Sequence, residues 1–286
     1  MKATRSGTGR GGVVTLRVYR HTPGAGARAP HYATYRVDAA RCGPMVGDAL
    51  DYVKAHVDPT LAYRRACGEG VCGSCAMSIN GANGLACMQR LADHAPTVTL
   101  RPLPHFRVVR DLVVDMDAFF DAHAAVAPWL RSPRKQYAPE PPKKQQQQPR
   151  QGKGKKPQQG KGKCEAARTI EAAARRAREL YQSPAERARL DGLYECVLCG
   201  CCSGACPEYW WGESGAQKFL GPAALLQAHR WLADSRDGAR TERLAELRRD
   251  PHGAFKCHNI LGCNAACPKN LNPARSVDTV RKMLLD

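Results

Sequence analysis

Residues 196–207 read Cys-Val-Leu-Cys-Gly-Cys-Cys-Ser-Gly-Ala-Cys-Pro, and residues 257–268 read Cys-His-Asn-Ile-Leu-Gly-Cys-Asn-Ala-Ala-Cys-Pro. The two runs share one frame. The first places cysteine at 196, 199, 202 and 206 before Pro207; the second places it at 257, 263 and 267 before Pro268, with Ile260 at the remaining position. In paired C-x2-C-x2-C-x3-C-P runs the fourth cysteine of each ligates the other run's iron–sulfur cluster. Applied here, that rule gives Cys196, Cys199, Cys202 and Cys267 to a [4Fe-4S] cluster and leaves Cys206, Cys257 and Cys263 for the second. Three thiolates hold three irons, and Ile260 offers no fourth ligand, so the second is predicted to be [3Fe-4S]. A degenerate second run, with Ile260 as plain core packing and no cluster, is the alternative.

A further set lies upstream. Cys67, Cys72, Cys75 and Cys87 read C-x4-C-x2-C-x11-C, the spacing of plant-type [2Fe-2S] sites. Gly68, Gly70 and Gly73 let backbone N–H groups turn toward the sulfurs. Structural zinc is the rival, but zinc favours paired C-x2-C knuckles far apart, and this loop has one such pair. Most of the 14 cysteines sit two to four residues apart, too crowded for a disulfide framework, which argues for metal in a reducing compartment. Cys42, Cys164 and Cys201 fall outside these frames and receive no metal role; Cys42 and Cys201 read as buried free thiols.

The 286 residues suffice for two modest domains, and no apolar run reaches the ~18–20 residues a membrane span requires. The nearest, Ala118 to Leu130, is broken by Asp121, His123 and Pro128. Of the net charge of +18, Arg131 to Lys163 carries more than half, with eleven Lys or Arg against Glu140. Rich in Gln, Gly and Lys and poor in apolar residues, this stretch reads as a disordered linker. Contact with a polyanion or lipid headgroup is its alternative, weakened by the lack of interleaved aromatics. The expected organisation is a disordered 1–12, a [2Fe-2S] domain over 13–130, a basic linker over 131–164 and a helical cluster domain over 165–286. This makes the chain α+β.

Val14, Leu16 and Val18 alternate with polar residues, and Tyr32 to Val37 reads as the partner strand of a hairpin. Val46, Leu50 and Val53 fall at helical spacing, and Ala76 to Ile79 and Thr97 to Leu100 read as strands. Beyond the linker, helices are expected over Thr169 to Tyr181, Ala185 to Tyr194, Gln217 to Leu232 and Thr241 to Arg248. A last helix starts with Asn272 as cap and Pro273 at its first position, facing inward with Val277, Val280 and Leu284.

Three clusters in one chain make a carrier of single electrons, with no G-x-G-x-x-G after a strand to hold a nucleotide or flavin. The donor must sit on another subunit. Trp210 and Trp211 after Cys206, with His258 beside Cys257, suit an acceptor that takes a hydrogen bond and protons; ordinary core or a membrane-interface anchor is the rival for the Trp pair.

These residues together resemble the iron–sulfur subunit of succinate dehydrogenase, respiratory complex II. The resemblance is carried by Cys42-Gly-Pro-Met45, Cys67 through Met77, Asp111-Leu-Val-Val-Asp-Met116, Leu193 through Cys199, Cys257-His-Asn-Ile260 and Pro268 through Pro273. It implies a β-grasp [2Fe-2S] domain followed by a helical ferredoxin domain, serving the tricarboxylic acid cycle and the respiratory chain. It further implies a flavoprotein partner that carries FAD and oxidises succinate, cytochrome b-type membrane anchors, and ubiquinone as acceptor. Pro207, Trp211, His258 and Ile260 would line the quinone pocket, with Trp211 donating to a quinone oxygen. Gly68 stands where the family usually has Arg, Glu208 where Ser is common, and Gly212 where Asn often follows. The added Glu208 carboxylate is expected to alter head-group binding or proton supply.

A quinol:fumarate reductase subunit is the near rival, and a zinc-stabilised basic nucleic-acid binding protein the distant one; no nucleic acid is expected as partner. Residues 1–37 lack acids and carry Arg, Ser and Thr. They favour the matrix side of the mitochondrial inner membrane, held peripherally, over the cytoplasmic face of a bacterial membrane.

Overall fold

The computed structural model describes residues 12–24, 29–131, 180, 182–211 and 219–286. Strand β1 (Val13–Arg20) pairs antiparallel with β2 (His31–Asp38), Leu16 facing Tyr35, so the expected hairpin forms. Val14, Leu16 and Val18 turn to the core while the residues between them face outward, as period-two patterning requires. Three further strands, β3 (Ala76–Ile79), β4 (Ala82–Leu85) and β5 (Thr97–Arg101), complete a mixed sheet in the order β2-β1-β5-β3-β4, with β1 and β5 parallel.

Helix α1 (Ala39–Cys42) is a single turn capped by Asp38, whose carboxylate accepts the Ala40 N–H at 2.9 Å. In α2 (Val46–His56), Val46, Ala49, Leu50 and Val53 form an i, i+3, i+4, i+7 stripe with no exposed surface, laid in the same core as β1, β3 and β5. Burying Leu50 alone contributes about 2 kcal/mol. A small ribbon, β6 (Val108–Arg110) and β7 (Val113–Val114), turns at Asp111. This fully buried carboxylate accepts the N–H groups of His21 and Ala62, each at 2.9 Å, and lies 3.1 Å from Arg20 Nε. It thereby fixes the end of β1 and the segment entering the first cysteine loop.

The rest is helical: α3 (Asp117–Ala125), α4 (Pro184–Ala188), α5 (Cys201–Gly204), α6 (Pro207–Trp211), α7 (Gly221–Ala233), α8 (Arg240–Arg249), α9 (Gly262–Ala265) and α10 (Pro273–Leu285). Helix α10 begins as expected, with Asn272 accepting the Arg275 N–H at 2.9 Å and Pro273 in the first turn; its inner face packs on α7. Two expected helices differ from those observed. The one over Ala185 to Tyr194 ends at Ala188 and continues as turns, because Gly192 adopts a left-handed φ of 80° while Leu190 and Leu193 still reach the core. Of the one over Gln217 to Leu232, Gln217 and Lys218 lie outside the described residues, Phe219 and Leu220 are not helical, and the helix starts at Gly221, because Pro222 has no N–H and its ring clashes with a preceding turn. The helix expected over Thr169 to Tyr181, the linker and the N-terminal dozen lie outside the described residues, apart from Gly12, Arg131 and Leu180.

The chain leaves the sheet region through α3 and is clamped to the helical region just beyond it. Arg243 and Asp237 are buried, 3% and 1% exposed, and joined at 2.8 Å. Arg243 also donates to the carbonyls of Val126, Ala127 and Trp129, while Asp237 accepts the Arg131 N–H at 3.0 Å. Burial alone would raise the Asp237 carboxyl; hydrogen bonds from Arg243 and the neighbouring backbone outweigh it and hold its pKa below the usual value. That contribution is therefore complete above about pH 4 and lost as pH falls through the lowered pKa. Replacing Arg243 by Ala strands the Asp237 carboxylate and should lower stability by about 3–5 kcal/mol, read from chemical denaturation followed by helical circular dichroism. A loss below about 1 kcal/mol would show the clamp to be dispensable.

Candidate metal centres

The first cysteine loop joins the Asp111-anchored segment to β3. Left-handed backbone at Gly68 and Gly70, φ 75° and 74°, aims the N–H groups of Glu69 and Val71 at Cys67 Sγ, both at 3.4 Å. These two donors, with a third from the Cys72 thiol, pull the Cys67 thiol down to about 6, so it is a thiolate at neutral pH. Cys75 behaves oppositely, pushed up to about 12 by burial, and its sulfur lies 3.3 Å from that of Cys87. The four thiols are thus brought together as two pairs, Cys67 with Cys72 and Cys75 with Cys87. A pair on each of two irons suits this arrangement. Among the described residues no three His, Cys, Asp or Glu side chains converge as a single zinc ion would demand.

In the helical region Cys196, Cys199, Cys202 and Cys267 line one cavity, whose other walls include Ala223, Leu226 and Pro273 and which exposes no polar surface. The sequence places Cys267 more than sixty residues from its companions; α9 and the start of α10 fold it back onto α5 and α7. Cys202 is the most enclosed, and burial first, then the neighbouring cysteines, hold its thiol well above the ordinary value. Cys206, Cys257 and Cys263 lie beside this set: burial pushes Cys263 up to about 11, with Cys206 and Cys257 as the next contributors, while Cys263 packs with Cys202. Seven thiols crowded in apolar surroundings cannot ionise together without a cationic centre, the condition that bound iron meets.

Supporting donors surround both groups. Leu271 N–H points to Cys267 Sγ at 3.4 Å, and Arg281 holds the carbonyls of Ala254 and Cys257. Ser203 Oγ, between Cys202 and Cys206 in sequence, is buried with no hydrogen-bond partner among the described residues. Cys201 is fully buried and donates its S–H to Cys199, which lowers the Cys199 pKa and raises its own. Cys42 is also buried, its thiol 3.5 Å from the Gly43 carbonyl, and Cys164 lies outside the described residues.

Past Cys206, α6 projects Trp211 outward, 78% exposed, and Ile260 is 59% exposed, so neither is core packing. His258 Nε2 lies 3.3 Å from Glu208 Oε2, and half-buried Pro207 starts α6 beneath them. Trp210 stacks face to face on His105, ring centres 3.6 Å apart and planes within 5°, and on its neighbour Trp211 at 5.9 Å. His105 is exposed overall, but partial desolvation lowers its pKa and favours the neutral ring for this contact. His105 was missed from the sequence, where a lone imidazole between Pro104 and Phe106 gives no signal.

Fold and site define an iron–sulfur electron carrier, with a sheet unit bearing a [2Fe-2S]-type loop and a helical unit bearing paired cysteine runs. The 2Fe-2S iron-sulfur cluster binding domain family matches residues 15–121, and the 4Fe-4S dicluster domain family matches residues 192–271. The mitochondrial succinate dehydrogenase [ubiquinone] iron-sulfur subunit of Dictyostelium discoideum is 42% identical over 273 residues, covering 95% of this chain and 82% of the relative. The rice (Oryza sativa subsp. japonica) subunit 2 of the same name is 44% identical over 272 residues, covering 95% and 75%. A chain of the Mycobacterium smegmatis Sdh1 complex in the apo form shares the fold, with a TM-score of 0.70 over 97% of both chains at 22% identity. The chain belongs to the family of succinate dehydrogenase iron–sulfur subunits.

The cavity geometry separates two adjacent cysteines. Cys202→Ala should lower iron and acid-labile sulfide content by a whole cluster, whereas Cys201→Ala should keep both at the wild-type level; equal losses in the two variants would mean that the ligand frame is misassigned.

Proposed function

We propose that this chain carries single electrons from the FAD of a flavoprotein subunit to ubiquinone in a succinate:ubiquinone oxidoreductase, holding part of the quinone site but none of the succinate site. The observation that carries the proposal is that the fold brings Cys267 onto one cavity with Cys196, Cys199 and Cys202, more than sixty residues away in sequence. Cys67, Cys72, Cys75 and Cys87 would hold [2Fe-2S], Cys196, Cys199, Cys202 and Cys267 would hold [4Fe-4S], and Cys206, Cys257 and Cys263 would hold [3Fe-4S]. When bound, these clusters supply one-electron carriers whose potentials respond to hydrogen bonds and burial. The protein's part is to fix the thiolates, aim the amides of Glu69, Val71 and Leu271 at them, and keep the inner set away from water. Residues 13–130 and 165–286 act as two functional units joined through 131–164.

Two exposed apolar patches support the partner assignments. Val71 and Met88 stand open beside the first loop, where a flavoprotein would dock, and Phe255, Ile260, Leu261 and Trp211 stand open beside the last thiol set. The second patch suits membrane anchors and a quinone, with the Trp211 indole donating to the quinone oxygen, Pro207 and Ile260 against the ring, and the Glu208–His258 pair at its polar edge. No helix among the described residues is long and apolar enough to cross a membrane. With mitochondrial relatives, this favours peripheral attachment to the inner membrane on the matrix side.

Purification of the native complex should recover an FAD-bearing subunit and membrane subunits, with succinate oxidation outpacing fumarate reduction; the reverse ratio would assign the quinol:fumarate direction. Oxidised protein should show a [3Fe-4S] paramagnetic resonance signal, and Ile260→Cys should abolish it by admitting a fourth iron. A wild-type protein holding about nine irons across the three cluster types supports the assignment, and a colourless zinc protein refutes it.

A further inference from the structure

The two cysteine regions meet backbone to backbone at Gly73, between Cys72 and Cys75. A Cβ built on Gly73 would lie 2.4 Å from the Val197 carbonyl oxygen and 3.1 Å from both the nitrogen and the Cα of Cys199. Gly73 also has a left-handed φ of 73°, but that alone does not explain its surroundings. Gly81, in the turn between β3 and β4, has φ 89° with nothing within 4 Å of the corresponding position. Gly73 therefore carries two constraints, one of conformation and one of space. The same seam is held by Asn83, whose Nδ2 donates to the Cys201 carbonyl at 3.1 Å, and by Leu103 and Met116, which close on Gly200. Cys201, Leu103 and Val114 form the apolar floor beneath it, with Cys199 packed against them.

We infer that Gly73 is a positioning residue whose missing side chain lets the Cys72–Cys75 turn seat directly on Cys199, and so sets the distance over which electrons cross from the sheet unit to the helical unit. The inference rests on the ligand assignments made above. The step it serves is a one-electron transfer in which the first cluster is oxidised and the second reduced, with the flavin of the partner as the ultimate donor and no bond or proton moved. Tunnelling decays exponentially with distance. A methyl group at Gly73 must displace Val197 from 2.4 Å to the 3.4 Å at which ordinary contact begins, and both contacts behind the turn are main chain, which cannot swing aside as a flexible side chain would.

The test is made in the assembled complex with Gly73→Ala, Asn83→Ala and, as a control matched for backbone strain, Gly81→Ala. Paramagnetic resonance of the fully reduced enzyme reads the magnetic coupling between the first two clusters, and freeze-quench after succinate addition reads how fast the second is reduced. Gly73→Ala should weaken the coupling and slow that reduction several-fold at unchanged iron content. Asn83→Ala should shift both in the same direction by less, and Gly81→Ala should match the wild type. Wild-type coupling and rate in Gly73→Ala at full iron content overturns the inference. Should that variant fail to assemble, wild-type coupling in Asn83→Ala overturns it instead. A wild-type complex without iron–sulfur signals would overturn the ligand assignments themselves, an outcome distinct from either.

Discussion

Eleven thiols, three of them buried and the others half-buried, are the constraint around which the molecule is built. Each buried thiolate is opposed by lost hydration and by the negative charge of its neighbours, which is why Cys75, Cys202 and Cys263 are held high. Cys67, fed by two amides, and Cys199, which accepts the Cys201 S–H, are shifted the other way, toward the thiolate. Metal binding then makes the ionisation of the buried thiols favourable, so the free energy of cluster insertion becomes part of the free energy of folding.

Ligand spacing was legible because it is local: a turn that presents three thiols to one cluster needs cysteines two residues apart whatever surrounds it. The nearness of Cys267 to Cys196, Cys199 and Cys202, which line one cavity with it, was also legible, since it follows from the shared frame of the two runs. The α10 cap, Asn272 with Pro273, is local in the same sense. Helix lengths around residues 185–194 and 217–221 were less so, because Leu190 and Leu193 satisfy a helical pattern equally well from consecutive turns. The partners that lie far apart in sequence left no signal at all: Arg243 against Asp237 and the carbonyls near Val126, Asp111 against His21 and Ala62, and His105 against Trp210. Each is a polar or aromatic residue that looks ordinary until the fold supplies its counterpart.

Those distant pairs share a purpose. An electron path through two folding units needs the units held rigidly, whereas contacts between domains are commonly modest and permit motion. Here the link is secured in three places by different means. Arg243 and Asp237 bury an ion pair that loses much if broken, Phe119 of α3 packs among Cys202, Ala223, Cys263 and Ala274, and the first loop meets the second main chain to main chain. Helix α3 therefore belongs to the helical core by packing although it precedes the linker in sequence.

The aromatic stack at the far end extends the same logic to the surface. A tryptophan as exposed as Trp211 gains little from burial within this chain, so its orientation must come from its neighbours. Trp210 supplies one face, and His105, reaching across from the sheet unit, locks Trp210 in turn. The indole proposed to meet the quinone is thus braced by a residue from the other unit, and partial desolvation of the exposed His105 favours its neutral ring, which keeps a charge out of the stack. Ile260, Leu261 and Phe255 are exposed as well, and large apolar side chains left open in this way mark a surface for an apolar partner. The placement of Cys206 and the demand for a hydrophobic partner are therefore two consequences of one arrangement: α6 turning outward at Pro207, immediately after Cys206.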